Sequence, residues 1–371
     1  MSHSNQENGL RSIAIYLPQF HPFPENNEWW GEGFTEWTNV VKSRPKFPGH
    51  YQPHLPANLG FYDLRLLETM VAQADLAREY GIHGFCYYHY WFNGKLLMER
   101  PLAQMLESGK PDFPFCLCWA NENWTRKWDG ADQQILIQQD YHADDDRAHI
   151  QYLMPFFKDE RYIKINGKPV YLMYRSELHP NIGQAVNIWR EEAKKAGFEN
   201  IYLIRMENFK RGLDPKEHGF DASMEFAPDI YQASKKYGKK NMLSYLLKKA
   251  LHRLHIRKFA DFENKIVSLK ETAANMLKKP KPDYTYFRCV SPSWDNSARR
   301  KSNAVIYVES EPDNFKNWVS EIKDYTLRSF EGEEKIFFIN AWNEWAEGCH
   351  LEPDQKYGKS YLKAFKEGLR G

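Results

Sequence analysis

The chain has 371 residues, of which 51 are Lys or Arg and 49 are Asp or Glu, so its formal net charge is +2. With 42% hydrophobic and 27% charged residues and a mean hydropathy of −0.72, the composition is that of a globular protein. It excludes disordered, collagen-like, coiled-coil and integral membrane proteins.

The first ten residues, MSHSNQENGL, lack the basic start and the apolar core of a secretory signal. The five cysteines are odd in number and scattered, which favours reduced thiols. Both features predict a cytoplasmic protein.

Short apolar runs recur along the chain and alternate with helical patterns such as Leu64–Tyr80 and Ile182–Ala196. Strands that alternate with helices are typical of parallel βαβ units. Eight such runs predict an α/β fold, a single (β/α)8 TIM-type barrel that occupies residues 1–371 as one domain. The predicted strands are Ile13–Leu17, Gly84–Tyr88, Phe115–Trp119, Val170–Tyr174, Ile201–Arg205, Ala222–Phe226, Arg288–Val290 and Ile336–Ala341.

In such a barrel, the active site is built from the loops that follow the strands. Aromatic residues make up 15% of this chain, and eight of its 12 Trp residues fall in or beside these loops. A Trp or Tyr ring is half apolar and half polar, which suits a wet cleft and the flat face of a sugar. The predicted sugar subsites are Trp29, Trp30, Trp37, Tyr90, Trp91, Trp119, Asn121, Trp124, Arg126, Trp128, Trp342, Asn343 and Trp345.

Residues 231–283 interrupt the pattern between the sixth and seventh predicted strands. From Lys235 to Lys281 there are 14 basic and 3 acidic residues, and Met242–Leu254 has the pattern of a cationic amphipathic helix. This basic helical insertion is either a solvated hairpin against the barrel or a contact for an anionic membrane surface. No recognised nucleic-acid motif accompanies the charge, so nucleic acid is not a predicted partner.

Two glutamates, Glu344 and Glu347, follow the last apolar run, three residues apart and flanked by Trp342 and Trp345. Glycosidic bonds are broken by two carboxyl groups that flank the bond. One of them must hold a proton near neutral pH, and burial against apolar rings raises the pKa of a carboxyl. The pair is therefore the predicted catalytic site, although a loop with two surface glutamates has the same pattern.

Further acidic residues lie at or beyond predicted strand ends, and each either binds a sugar hydroxyl or is a satisfied loop residue. They are Glu32, Glu36, Glu122, Glu207 and Glu225. The triplet Asp144–Asp146 resembles the metal motif of nucleotide-sugar transferases, but its polar setting favours a solvated helix start. No HExxH spacing, Gly-rich phosphate loop or nucleophile elbow is present, so we predict an enzyme without metal or cofactor.

Four longer segments carry a family resemblance. They are IYLPQFHPFPENNEWWGEGFTEWTNV, GFCYYHYWFNG, CWANENWTRKWDG and NAWNEWAEGCHLEPD. They resemble the WbsX-type family, whose barrel is similar to that of glycoside hydrolase family 99, the endo-α-mannosidases. The resemblance runs from about Ile13 to the C-terminus, apart from the basic insertion.

In family 99 the matching motif is Asn-Glu-Trp-x-Glu-Gly. By this resemblance, Glu344 would be the base on the sugar's own 2-hydroxyl, giving an anhydro-sugar intermediate, and Glu347 the acid and then the base at the glycosidic oxygen. Mannose specificity does not carry over, because the identity outside this motif is thin. WbsX-type proteins are associated with O-antigen and other surface polysaccharides and are often labelled glycosyltransferases.

These observations predict an enzyme that cleaves or transfers glycosidic bonds of a bacterial surface polysaccharide with retention of configuration. The expected partner is an oligo- or polysaccharide substrate. Under one hypothesis this substrate is linked to a lipid. The enzyme would then work at the inner face of the membrane, which the stretch from Lys235 to Lys281 would contact. Two alternatives are a nucleotide-sugar-dependent transferase of lipopolysaccharide biosynthesis and a non-catalytic glycan-binding protein.

Overall fold

The computed structural model describes residues 9–126, 131–235, 252 and 260–371. Its centre is a parallel, nearly closed barrel of nine strands. In chain order these are β1 (Arg11–Tyr16), β2 (Gly84–Phe92), β3 (Phe115–Trp119), β4 (Lys168–Met173), β5 (Tyr202–Glu207), β6 (Ala222–Glu225), β7 (Tyr286–Phe287), β8 (Cys289–Val290) and β9 (Ile336–Ile339). All eight apolar runs fall on barrel strands, so the predicted barrel is confirmed.

The seventh position of the barrel is shared by two short strands. β7 pairs with β6, and β8 pairs with β9, which in turn pairs with β1. Between β7 and β8 stands Arg288, a buried residue whose Nε donates to Glu225 Oε2 at 2.7 Å. The seventh apolar run was weak in the sequence because this strand is short and interrupted by a charge.

Helices cover the outside of the barrel. They are α1 (Pro24–Trp30), α2 (Glu36–Lys42), α3 (Leu67–Glu79), α4 (Arg100–Ser108), α5 (Ala143–Lys158), α6 (Ile182–Lys195), α7 (Ala260–Glu263), α8 (Leu269–Leu277), α9 (Pro312–Ser329) and α10 (Ser360–Arg370). The helices predicted over Leu64–Tyr80 and Ile182–Ala196 correspond to α3 and α6 within a few residues. In α3, Met70, Ala74 and Ala77 are buried, as their spacing along one helix face requires.

Short additional strands lie outside the nine-stranded barrel. Lys95–Leu97 pairs with β2, Lys164–Ile165 with β4, and Trp124–Arg126 with Ala131–Ile137. Two further pairs join Lys265–Ser268 to Val305–Val308 and Asn343–Glu344 to Cys349–His350. Short 3-10 turns cover Ser176–Leu178, Pro215–His218, Asn296–Ala298, Gly332–Glu334 and Trp345–Glu347.

The basic insertion leaves the barrel after β6 and returns before β7. The predicted helix Met242–Leu254 lies, apart from His252, outside the described residues. The later part of the insertion lies against the barrel: Lys265–Ser268 pairs with Val305–Val308 in a separate two-stranded sheet, and Lys279 donates to Glu225 of β6 at 3.0 Å. Within the described part of the chain, no helix combines the length and the apolar character that crossing a membrane requires.

Candidate active site

A cavity of about 390 Å³ opens at the carboxyl ends of the barrel strands. Every strand position contributes to it: Leu17 follows β1, Tyr174 follows β4, and Asn340 follows β9. This is the end of the barrel at which the fold places its active sites. Glu344 and Glu347 both line the cavity.

One guanidinium holds three carboxylates at this cavity. Nη2 of Arg299 donates to Glu36 Oε2 at 3.0 Å and to Glu344 Oε2 at 3.1 Å, and Nη1 lies 2.8 Å from Glu347 Oε1. The Glu36 side chain is fully buried, that of Glu344 is 9% exposed, and that of Glu347 is 22% exposed. Of the three, Glu347 is therefore the carboxylate most open to a substrate.

Three carboxylates around one cation leave an excess of negative charge in a poorly solvated place. Burial raises the pKa of Glu344 to about 8; Glu347 and Glu36 add to this effect, and Arg299 opposes it. Burial likewise raises the pKa of Glu36, against the pull of Arg299. Glu344 is thus a stronger base than an ordinary carboxylate, as a group that removes a proton from a hydroxyl needs to be.

The loop that carries the two glutamates is fixed by a buried hydrogen-bond network around Glu352. Trp345 stands between them, is 1% exposed, and donates from Nε1 to Glu352 Oε2 at 2.6 Å. Tyr62 and Gln73 donate to the same carboxyl at 2.8 and 2.6 Å. Burial raises the pKa of Glu352 to about 7, although these donors oppose the rise. The buried tryptophan and its hydrogen bonds fix the backbone on which both catalytic candidates stand.

The same loop ends at Gly348, whose backbone has φ +54. A Cβ at this position would lie 3.0 Å from Cβ of Asp295 and 3.2 Å from its backbone nitrogen and oxygen. The backbone nitrogen of Asp295 donates to the Glu347 carbonyl oxygen at 2.6 Å. The glycine of the motif is therefore required by this close approach and by its left-handed conformation.

The cavity walls are largely aromatic. Tyr90 and Trp124 stand side by side, with ring centroids 5.3 Å apart, and Phe226 meets Trp294 at 5.8 Å. Among the residues that the structure describes, the aromatic ones that line the cavity are Tyr88, Tyr90, Trp124, Tyr174, Phe209, Phe226, Trp294 and Tyr307. Gln19 also lines the cavity, with its Nε2 buried and without a hydrogen-bond partner among the described atoms. Flat rings beside polar donors suit a carbohydrate, whose C–H faces are apolar and whose edges are hydroxyls.

Among the predicted site residues, Tyr90, Glu122, Trp124, Glu344 and Glu347 line the cavity. Glu122 is paired there with Arg175.

Two predicted residues, Glu36 and Trp29, stand just behind these, whereas Trp30 packs on Phe34, which does not line the cavity. Glu36 reaches the site through Arg299. The ring of Trp29 lies 5.9 Å from that of Trp124, and the ring of Trp30 lies 6.0 Å from that of Phe34.

The remaining described residues of the predicted set do not line this cavity. Trp37, Trp91, Trp119, Trp342 and Trp345 are 8% exposed or less. Their indoles pack on other rings, as where Trp91 stacks on His149 at 4.9 Å.

The polar members of the predicted set are tied to the scaffold. Asn121 donates to the Arg175 carbonyl oxygen and Asn343 to that of Leu17, while Glu207 accepts from Tyr284 and Tyr286. Arg126, as regards its side chain, and Trp128 lie outside the described residues.

The acidic triplet Asp144–Asp146 lies in the first turn of α5, as its sequence favours, but only Asp144 is exposed to solvent. Asp145 accepts from Trp91 Nε1 at 2.8 Å, and Asp146 lies 3.1 Å from His179. Both aspartates are less than 5% exposed.

Sequence reasoning missed Arg299 and much of the aromatic wall. Arg299 follows the short seventh strand position in a polar stretch, SARRKSN, where nothing distinguishes it from its neighbour Arg300. Tyr88 and Tyr174 are the last residues of two predicted strands. This position at a strand end was the available indication that they line the cavity. Trp294 also follows a predicted strand, at a distance of four residues.

Residues 12–365 match the family described as glycosyltransferase WbsX. The chain belongs to this family. It is also 40% identical over 357 residues to the uncharacterized protein WxcX from two strains of Xanthomonas campestris pv. campestris, one of them strain B100. The match covers 96% of this chain and 49% of WxcX, so the chain spans about half the length of these curated relatives.

Solved structures with the same fold include a glycoside hydrolase-like protein at a TM-score of 0.58 and 15% identity, with 97% of this chain and 94% of that chain covered. The family 99 endo-α-mannosidase of Bacteroides thetaiotaomicron superposes at a TM-score of 0.55 and 13% identity, with 97% and 96% covered. These likenesses establish the fold of this WbsX-family chain, a (β/α)8 barrel.

Proposed function

We propose that this WbsX-family protein cleaves or transfers glycosidic bonds of a bacterial surface polysaccharide, with retention of configuration. The observation that carries the proposal is the pairing of Glu344 and Glu347 on one guanidinium beside an aromatic-lined cavity. Two carboxyl groups on opposite sides of the scissile bond are the usual equipment for this chemistry. Family membership and the barrel support a glycan-processing enzyme.

In the proposed reaction the two carboxyl groups divide the work. Following the family resemblance, Glu344 takes the proton of the sugar's 2-hydroxyl, whose oxygen attacks the anomeric carbon and closes an anhydro ring. Glu347 gives its proton to the leaving oxygen. It then removes a proton from the water or acceptor that attacks the anomeric carbon, while Glu344 returns its proton to the 2-oxygen as the anhydro ring opens, so both groups are restored. Arg299 remains bound to both carboxyl groups and holds them at a fixed distance from each other.

The pH dependence of the reaction follows from the raised pKa of Glu344. Because Glu344 must be ionised to act as a base while Glu347 holds the proton that it gives to the leaving oxygen, kcat/KM is expected to be bell-shaped in pH, with one limb near pH 8 set by Glu344. Glu36→Gln removes a neighbouring negative charge and releases Arg299 to its other two partners, and both effects lower the pKa of Glu344. The limb of this variant should therefore lie at lower pH, while the maximal rate falls little. An unmoved limb would show that another group titrates.

The family's description, glycosyltransferase WbsX, favours a second candidate function, which is transfer from a nucleotide sugar. The two functions are separated by offering intact polysaccharide without nucleotide sugar and measuring product masses. Shortened or rearranged chains support the glycosidase-type proposal. Products that form only with a nucleotide sugar and Mn²⁺ or Mg²⁺ support the transferase. Binding without any product, together with unchanged behaviour of Glu347→Gln, would indicate a glycan-binding protein.

We also propose that the substrate is lipid-linked at the cytoplasmic face of the membrane, which the basic insertion would contact. Replacing Lys248, Lys249 and Arg253 by Gln is expected to weaken binding to vesicles containing 30% anionic lipid by ~10-fold or more, at ~1 kcal/mol for each basic residue. Binding is measured by vesicle sedimentation. These substitutions do not touch the later part of the insertion, which contains Lys265–Ser268 and Lys279 and lies against the barrel. Activity on soluble fragments should therefore persist. Vesicle binding equal to that of the unmodified chain would contradict this placement.

A further inference from the structure

A second cavity of about 140 Å³ lies beside the catalytic one and is lined by His54, His350 and Asp354. Trp294 and Tyr307 line both cavities and stand between them. His54, His350 and Asp354 are each 7% exposed or less, and one ligand atom from each lies within 4.8 Å of the others. Nothing in the glycosidase proposal uses these three side chains.

The geometry points to a site for a transition-metal ion of the Zn²⁺ type, held by His54, His350 and Asp354, which we propose as a structural clamp on the catalytic loop. Two imidazoles and one carboxylate are a ligand set that suits Zn²⁺, with a solvent molecule at the fourth position. The cavity beside the three residues exceeds the ~30 Å³ that one water molecule occupies, so a solvent ligand fits.

The distances are close to those that a metal ion requires. Nδ1 of His54 lies 2.9 Å from Nε2 of His350, and that nitrogen lies 3.9 Å from Oδ2 of Asp354. Ligand atoms on a tetrahedral ion at ~2.0–2.1 Å are ~3.3–3.4 Å apart, a value between the two distances. Small rotations of the rings and of the carboxylate would bring all three atoms onto one ion.

The surrounding hydrogen bonds orient the ligand atoms. Nδ1 of His350 lies 2.9 Å from the Glu352 carbonyl oxygen and donates its proton there, so the lone pair of Nε2 faces His54. Such a bond from the second imidazole nitrogen to a carbonyl is the usual support of a metal-bound histidine. Asp354 accepts from the backbone nitrogen of Tyr357 through Oδ1, which leaves Oδ2 turned toward His350. Without metal, Nδ1 of His54 donates to Nε2 of His350, so its proton must move to the other ring nitrogen of His54 when the ion binds at Nδ1.

The position of the site explains what the ion would do. His54 lies in the segment between α2 and α3, whereas His350 and Asp354 follow the loop with Glu344 and Glu347. Close by, His50 lies 2.6 Å from Asp295 Oδ2, and the backbone of Asp295 binds the carbonyl oxygen of Glu347. An ion bound by His54, His350 and Asp354 would fasten this segment to the far end of the catalytic loop. It would act on the stability of that loop and not on the substrate.

The test uses the full chain without a histidine tag, exposed to Zn²⁺ and then dialysed, with metal content measured by mass spectrometry. We expect ~1 equivalent of Zn²⁺ in the wild-type chain and less than ~0.1 in His54→Gln and Asp354→Asn. His50→Gln is the matched control, because it changes a histidine of the same cavity outside the three ligands and should keep the ion. Co²⁺ in place of Zn²⁺ should give visible absorption bands in the wild-type chain and in His50→Gln, but not in His54→Gln or Asp354→Asn.

A second measurement covers the case in which a variant fails to fold. Adding Zn²⁺ to the metal-free wild-type chain should raise its Tm by ~2–5 °C, and dipicolinate should reverse the rise. Less than ~0.1 equivalent of metal with an unchanged Tm would overturn the proposal. Equal uptake of Zn²⁺ by wild type and by both ligand variants would overturn it as well. All these readouts are independent of activity on glycans, so they stand or fall separately from the proposed function.

Discussion

Replacing Glu347 by glutamine is expected to lower the rate on a natural glycan by ~10² to 10⁴-fold, the usual contribution of a general acid and base. Glutamine keeps the size of the side chain and an oxygen for Arg299, but it has no proton to give to the leaving oxygen. An activated aryl leaving group departs without protonation, so the first step on such a substrate should regain part of the loss. Initial rates on both substrates, for wild type and variant, give the comparison.

Glu28→Gln serves as the matched control, because Glu28 is an exposed glutamate of α1 and should be replaceable without effect. A loss below about 10-fold in Glu347→Gln would place the acid elsewhere. Glu122, which also lines the cavity, would then be the next residue to replace, since Glu207 is bound to the scaffold. An equal loss on natural and activated substrates would mean that Glu347 acts by binding and not by proton transfer.

Replacing Arg299 by methionine is expected to abolish activity and to cost ~3–5 kcal/mol in the free energy of unfolding, as when one partner of a buried ion pair is removed. The variant leaves Glu36, Glu344 and Glu347 without their shared cation. The loss of the cation then raises the pKa values of Glu36 and Glu344 further above the unfolded-state value of about 4.5.

The sign of the pH effect follows from this rise. Below the unfolded pKa the carboxyls are protonated in both states, so the stability difference from wild type should be smallest near pH 4. As pH increases, the folded variant holds protons that the unfolded chain has released, and its stability falls up to and beyond pH 8. Urea unfolding across this range measures the effect. A loss of stability that does not change with pH would contradict the account of the cluster.

Two variants make the result specific to the guanidinium. Arg299→Lys keeps one positive charge, but an ammonium group lacks the planar set of donors with which the guanidinium binds three carboxylates. Compared with Arg299→Met, it should therefore recover part of the stability and little of the activity. Arg300→Met removes the neighbouring arginine, which lines the same cavity, and should leave stability nearly unchanged. If Arg300→Met behaves like Arg299→Met, the effect belongs to the general charge of the cavity.

The barrel was predictable from the sequence because its strands are buried on both faces and therefore stand out as continuous apolar runs. The strand position at Arg288 shows the limit of that signal, since four paired residues around a charge hardly differ from a loop. Glu344 and Glu347 could be singled out because they follow a strand directly. Their shared partner Arg299 could not, because it comes from a different strand position 45 residues earlier in the chain.

The tryptophans illustrate a second limit. A Trp next to a strand end either faces the cavity, as Trp124 does, or packs beneath it, as Trp342 and Trp345 do. Both positions favour a large aromatic ring, so residue type alone does not separate them. The contact between His54 and His350 was not predictable either, because 296 residues separate them and no local spacing reveals it.

The central claim, that this chain breaks and remakes glycosidic bonds with retention at Glu344 and Glu347, is tested most directly by proton NMR. The protein is incubated with the surface polysaccharide of its own source bacterium, and Glu347→Gln is the blank. We expect new anomeric signals from the wild-type chain alone, and the first of them should have the configuration of the bond that was cleaved. Products of inverted configuration, or identical spectra from wild type and variant, would contradict it.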